Sequence, residues 1–235
     1  MAMKTERLLR DLLPREAWEQ INELYLRAKQ DAGNSLAQGR RYDYLEAVIR
    51  GAQQLSGTLS GTMARDYPYD FLRLGLALER ADMTTRIIDV RSANLLDGSV
   101  KSDDGAADLA PFEAIQWMSV LRSLSGYQVY RQTVRGPVSH AEVLRFLLTD
   151  TRFPRSIGFC LAQMDTLLRR LPRSSAITRD IRKLVDDLEH VDFDRLDRQA
   201  LHRYTDELQI GFGTLHDRIS ATYFLTGPAA TPRIT

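Results

Sequence analysis

Residues 76–91 read LALERADMTTRIIDVR, and four of them, Glu79, Asp82, Arg86 and Asp89, could do chemistry together. Asp82 and Arg86 are four apart, Arg86 and Asp89 three apart, and Glu79 stands one turn before Asp82, so a helix would gather them on one flank. At about 100° per residue, Leu72, Leu76, Glu79, Met83, Arg86 and Val90 form a single stripe. Its apolar members mark that stripe for the interior, where a charge is costly unless paired. One reading is a buried ion-pair network that orients helix packing. The other is a grip on an anionic or amino-acid ligand by Arg86 or Arg80, because a guanidinium fork matches a carboxylate or phosphate. Arg80 falls with Arg73, Thr84 and Arg91 on a separate polar face. The network reading expects removal of Glu79 to cost on the order of 3–5 kcal/mol, by leaving an arginine buried without its partner.

TDTRFPRSI at 149–157 is the second candidate. Pro154 at a first helical position would leave the amides of a helix N-terminus open to an anion, with Asp150, Arg152, Arg155 and Ser156 around it. Asp150 could equally cap that helix or pair with Arg155, and both readings stay open. In SGYQVYRQTVRGP (125–137), Tyr127, Tyr130, Arg131 and Arg135 could stack on and pair with a ligand, although interior tyrosines with satisfied hydroxyls are the preferred reading. LSGTLSGT at 55–62 lacks the Lys-Ser/Thr ending of a phosphate loop and follows no strand, so Gly57 and Gly61 are read as a close helix approach. None of His140, His190, His202 or His216 has a glutamate three residues before it, as a di-metal bundle requires. Asp186 and His190 share a helix face, but two ligands do not make a site. Neither a metal nor a cofactor is expected. Cys160 sits among Ile157, Phe159 and Leu161 and reads as a core filler. No Ser/His/Asp or Cys/His set is recognisable along the chain.

The elements that must position these groups are helices. From Trp18 to Ala28 apolar residues recur at three-and-four spacing behind Pro14, and AGNS at 32–35 reads as a break. A second helix is expected over 42–64. A third opens after Pro68 with Asp70 as N-cap and runs to about residue 96. Residues 97–110 read as a loop; Pro111 begins a helix extended past Ser125–Gly126 to Val134, and Ser139 caps a short one. Further helices are expected from Pro154 to Leu171, from Ala176 to His190 and from Arg195 to Phe224. No strand pair emerges, so the fold class is all-α.

Charge is balanced, 32 Lys+Arg against 31 Asp+Glu in 235 residues, which argues against a nucleic-acid footprint or a polybasic membrane surface. One cysteine excludes an internal disulfide, no apolar run is long enough to span a bilayer, and the start lacks a signal-peptide core. A cytoplasmic location is the expectation.

Self-comparison adds a repeat. LLRDLLPREAWEQINEL (8–24) matches LLRRLPRSSAITRDIRKL (167–184) with one gap, and an offset of 160 aligns Gly51 with Gly211, Leu55 with Leu215 and Thr62 with Thr222. The expected architecture is a multi-helix bundle built from a degenerate tandem repeat. Residues 1–66 form the back of an incomplete first repeat, 67–225 a complete second one and 226–235 a disordered tail, all within one structural domain. A repeat lacking its front layer would expose apolar surface.

FLRLGLALERADMTTRIIDV (71–90), Trp117, SGYQVYRQTVRGP, FLLTDTRFPRSI (146–157) and LPR (171–173) together resemble the Alpha-E family of bacterial all-helical domains, named for a Glu-Arg motif and usually duplicated. The resemblance implies a version without the first Glu-Arg helix. It also implies a setting beside circularly permuted ATP-grasp ligases, transglutaminase-like proteins and N-terminal-nucleophile peptidases. The leading expectation is therefore a non-catalytic helical partner or scaffold of a bacterial peptide synthesis or modification system. A circularly permuted ATP-grasp protein or a transglutaminase-like protein would be its partner. The alternatives are an enzyme on amino-acid or peptide substrates, with Glu79 as acid/base and Arg86 as carboxylate clamp, and a self-associating bundle that forms a homo-oligomer.

Overall fold

The computed structural model describes residues 12–37, 40–97 and 110–225. The loop expected at 97–110 and the tail expected at 226–235 lie almost wholly outside the described residues. Among those that are described, the protein is helical and carries no strand. The helices are α1 (Arg15–Ala37), α2 (Arg41–Thr62), α3 (Tyr67–Asp97), α4 (Ala110–Ser123), α5 (Tyr127–Thr133), α6 (His140–Thr149), α7 (Ile157–Leu168), α8 (Ser175–Glu189) and α9 (Arg198–Tyr223), with a 3-10 turn at Phe193–Arg195. The chain divides into two compact units, Met1–Asp70 and Phe71–Thr235, the division falling inside α3.

The first unit is the α1–α2 hairpin. Its α1 does not stop at AGNS but runs on to Ala37. Gly33 costs a helix about 1 kcal/mol relative to alanine, but extending a helix that is already nucleated is far easier than starting one. Gly51 lets the two helices meet, since a Cβ there would stand 2.7 Å from Leu24 Cδ1. Gly57 and Gly61, read as the close approach, have nothing within 4 Å of a Cβ. In the second unit α8 and α9 make the corresponding contact, Gly211 against Leu184 Cδ2 at 2.8 Å. Both members of that contact lie 160 positions beyond Gly51 and Leu24.

The core of the second unit gathers Leu74, Ala77, Ala81 and Ile88 of α3 with Trp117, Leu121, Leu147, Leu161 and Leu168, all buried. Three element boundaries depart from the sequence reading, each for a local reason. The helix expected to continue past Ser125–Gly126 breaks there, because Ser125 is left-handed (φ 56°) and Gly126 N–H turns back to the Leu121 carbonyl at 2.7 Å. The helix expected at Pro154 begins at Ile157 instead. Ser156 is its N-cap, its hydroxyl accepting from Phe159 N–H at 3.1 Å, and Pro154 belongs to the turn before. Asp70 is not an N-cap, since α3 already starts at Tyr67 and Asp70 lies buried in its first turn. Gly158 meets backbone rather than side chain: a Cβ there would stand 2.8 Å from the Thr149 carbonyl oxygen, so the start of α7 rests directly on the end of α6.

Candidate functional site

The face that α3 turns inward is not the predicted one. Leu74, Ala77, Ala81, Thr84, Thr85 and Ile88 are buried, whereas Glu79, Met83, Arg86 and Val90 face solvent, Met83 and Val90 being 49% and 59% exposed. α3 carries two apolar stripes, and spacing alone does not choose between them. The core takes the stripe of Leu74, Ala77, Leu78, Ala81 and Ile88, all buried, whereas Leu72 and Leu76 of the other are only half-buried. The threonines complete this face: Thr84 donates to the Arg155 carbonyl at 2.8 Å, and Thr85 to the Asp82 carbonyl at 2.7 Å.

The expected buried network is therefore corrected to a surface pair. Arg86 bonds Asp82 through Nε at 2.7 Å and Nη2 at 3.3 Å, and its pKa is raised chiefly by that hydrogen bond and by the Asp82 charge. Glu79 acts on Arg86 only as a minor, through-space charge. Arg80 is half-buried near Cys160, whose buried thiol is pushed up to about 11 by desolvation against the opposing Arg80 charge. This makes Cys160 an inert filler, as read.

Asp89 belongs to a different group. Its Oδ1 takes a hydrogen bond from His202 Nδ1 on α9 at 2.7 Å, and Thr205 Oγ1 lies 3.5 Å from the same oxygen. Asp206, one turn beyond His202, stands 3.6 Å from His202 Nε2. Asp89, His202 and Asp206 each offer a ligand atom within 4.8 Å of the others, so they are the described residues that could hold a divalent cation. The sequence names Asp89 as a candidate but does not bring it together with His202 and Asp206. The only local signal was the i,i+4 spacing of His202 and Asp206, and Asp89 lies 113 residues away from His202.

The second predicted group does not assemble as an anion site. Asp150 Oδ1 accepts the N–H groups of Arg152 (2.8 Å) and Phe153 (2.7 Å), closing a turn. Arg152 pairs with Asp150 Oδ2 at 3.7 Å and donates to Thr133 Oγ1 at 3.1 Å, Arg155 is exposed, and Ser156 is buried as the cap of α7. What the structure forms nearby is a cleft of about 650 Å³ between the 133–139 loop and one face of α6, lined by Val134, Arg135, Ser139, Glu142, Arg145 and Phe146 among others. Arg145 is held by Glu142, by Asp194 at 3.5 Å and over the Phe193 ring. Arg131 Nη1 fastens the loop through the Gly136 carbonyl at 2.9 Å. Tyr130 is interior as expected, but its hydroxyl has no hydrogen-bond partner among the described residues, against the expectation of a satisfied one.

An all-helical chain with a Glu-Arg pair on its longest helix is thus defined by fold and site. Residues 1–224 match the model of Alpha-E, described as a predicted alpha-helical domain with a conserved ER motif, and the chain belongs to that family. Among curated proteins it is 27% identical over 192 residues to an uncharacterized protein of Mycobacterium bovis, across 77% of this chain and 20% of the relative. An uncharacterized protein of Mycobacterium tuberculosis H37Rv is 26% identical over 190 residues, across 77% of this chain and 19% of the relative. The chain thus spans about a fifth of the length of the curated relatives it matches. No solved structure matches it.

Proposed function

We propose that the chain is a non-catalytic helical partner domain of a bacterial peptide synthesis or modification system, docking a circularly permuted ATP-grasp protein through the outward face of α3. The observation that carries this reading is the stripe on which solvent-exposed Met83 and Val90 alternate with the charges of Glu79 and Arg86. Apolar side chains ringed by charges on a rigid helix suit a protein interface better than a small-molecule site. A matched region that fills a fifth of its relatives is in keeping with a module that works beside others. The enzyme reading needs Arg86 available to a substrate carboxylate, whereas Arg86 is engaged by Asp82. Neither Glu79 nor Arg86 lines the 650 Å³ cleft. The test is copurification with the circularly permuted ATP-grasp protein of the same genome, and with the transglutaminase-like protein as a second bait. Wild type is expected to bring down the ATP-grasp protein, and Met83→Glu with Val90→Glu to lose it. Retention by the double variant, or no association with wild type, overturns the reading.

A further inference from the structure

The cleft between the 133–139 loop and α6 has the volume of a small-molecule site, about 650 Å³. Its charges are unevenly engaged. Glu142 and Arg145 hold each other, and Asp150 is taken up by two backbone N–H groups. Arg135, exposed on the loop, makes no hydrogen bond or ion pair with another described residue, so the cleft presents one uncommitted cation. The loop that carries it is held in place from both sides, by Arg131 on the Gly136 carbonyl and by Arg152 on Thr133 Oγ1. Beside that cation the lining turns apolar at Val134, Pro137 and Phe146.

We infer that this cleft binds a small organic carboxylate with an apolar body, the chemistry of a free peptide C-terminus, with Arg135 on the carboxylate and Val134, Pro137 and Phe146 under the apolar part. Guanidinium and carboxylate match as a two-pronged hydrogen-bonded pair, and a phosphate or a neutral amide in the same place would forgo either the apolar contact or the charge. The inference stands on the cleft's own residues, whether or not the α3 stripe docks a partner.

The experiment is an NMR titration of the isotope-labelled full chain with N-acetyl-leucine, N-acetyl-leucinamide and inorganic phosphate. N-acetyl-leucine is expected to shift the amides of residues 134–146 saturably below about 10 mM. The amide form, and the acid form on Arg135→Gln, are each expected to bind at least about tenfold more weakly, the scale of one charge-assisted hydrogen bond. Because Arg135 is exposed, the variant keeps its fold, which an unchanged spectrum outside the cleft verifies. Equal binding of acid and amide, wild-type affinity in Arg135→Gln, phosphate binding as tightly as N-acetyl-leucine, or no saturable shift would each overturn the proposal.

Discussion

The α1–α2 and α8–α9 hairpins are closed by the same device, a glycine on one helix receiving a leucine from the other, yet they differ in what becomes of their other faces. Ile177, Ile181, Leu188, Leu208 and Leu215 of the second hairpin are buried in a core. Along α2, at the matching 160-residue offset, Tyr42 and Leu45 are 75% and 46% exposed where His202 and Thr205 of α9 meet Asp89 of α3. Ile49, beyond them, is 55% exposed. The pair contact is local to a hairpin, whereas burial is conferred by what packs on it. One sequence pattern therefore yields buried positions in one hairpin and exposed apolar positions in the other.

The largest test of this contrast is truncation at equivalent positions. Leu208→Ala should cost about 2–5 kcal/mol, a transfer loss plus a cavity, whereas Val48→Ala, half-buried 160 residues earlier, should cost under about 1 kcal/mol. Urea denaturation of both variants decides, and equal losses would break the comparison. Next come the glycines. Gly158→Ala presses on the Thr149 backbone and should cost about 1–3 kcal/mol. Gly51→Ala and Gly211→Ala meet only the mobile ends of leucine side chains and recover helix propensity, so both should stay within about 1 kcal/mol of wild type.

A smaller effect follows pH. His140 stacks on Trp117 at 5.1 Å, and burial lowers its pKa below that of an unfolded histidine, about 6.5, against weaker opposing pulls from Glu113 and Asp194. A lowered folded pKa means that the unfolded chain takes up the proton more readily. Stability is thus full above neutral pH and falls as pH drops through about 6.5 toward the folded value. His140→Gln should flatten that part of the melting-temperature profile between pH 7.5 and 5.5. The smallest effect sharpens the correction to α3: Glu79→Gln should shift stability by less than about 0.5 kcal/mol, as a surface site does, not by the 3–5 kcal/mol of a broken buried pair.

The all-helical class was legible from periodicity, and Ser139, Cys160 and the α8 face behave as their spacing indicated. The orientation of α3 was not. Leu72, Leu76, Met83 and Val90 are as regular as Leu74, Leu78, Ala81 and Ile88, and only burial in the folded core separates them. Pro154 misled for a local reason, because the competing signal, Asp150 closing a turn on the N–H groups of Arg152 and Phe153, places Pro154 before the helix that Ser156 caps. The Asp89–His202 contact and the Arg135 cleft are assembled from residues distant in sequence or from a loop folded on a helix face, and no spacing rule reaches either.

The proposal that α3 docks a partner through its outward face is tested most directly by methionine oxidation footprinting of the chain, free and with the circularly permuted ATP-grasp protein. Met83 is exposed and Met164 buried, so the free chain should oxidise at Met83 and spare Met164. In the complex Met83 should become protected. Undiminished oxidation of Met83 under conditions where the two proteins associate would contradict the account.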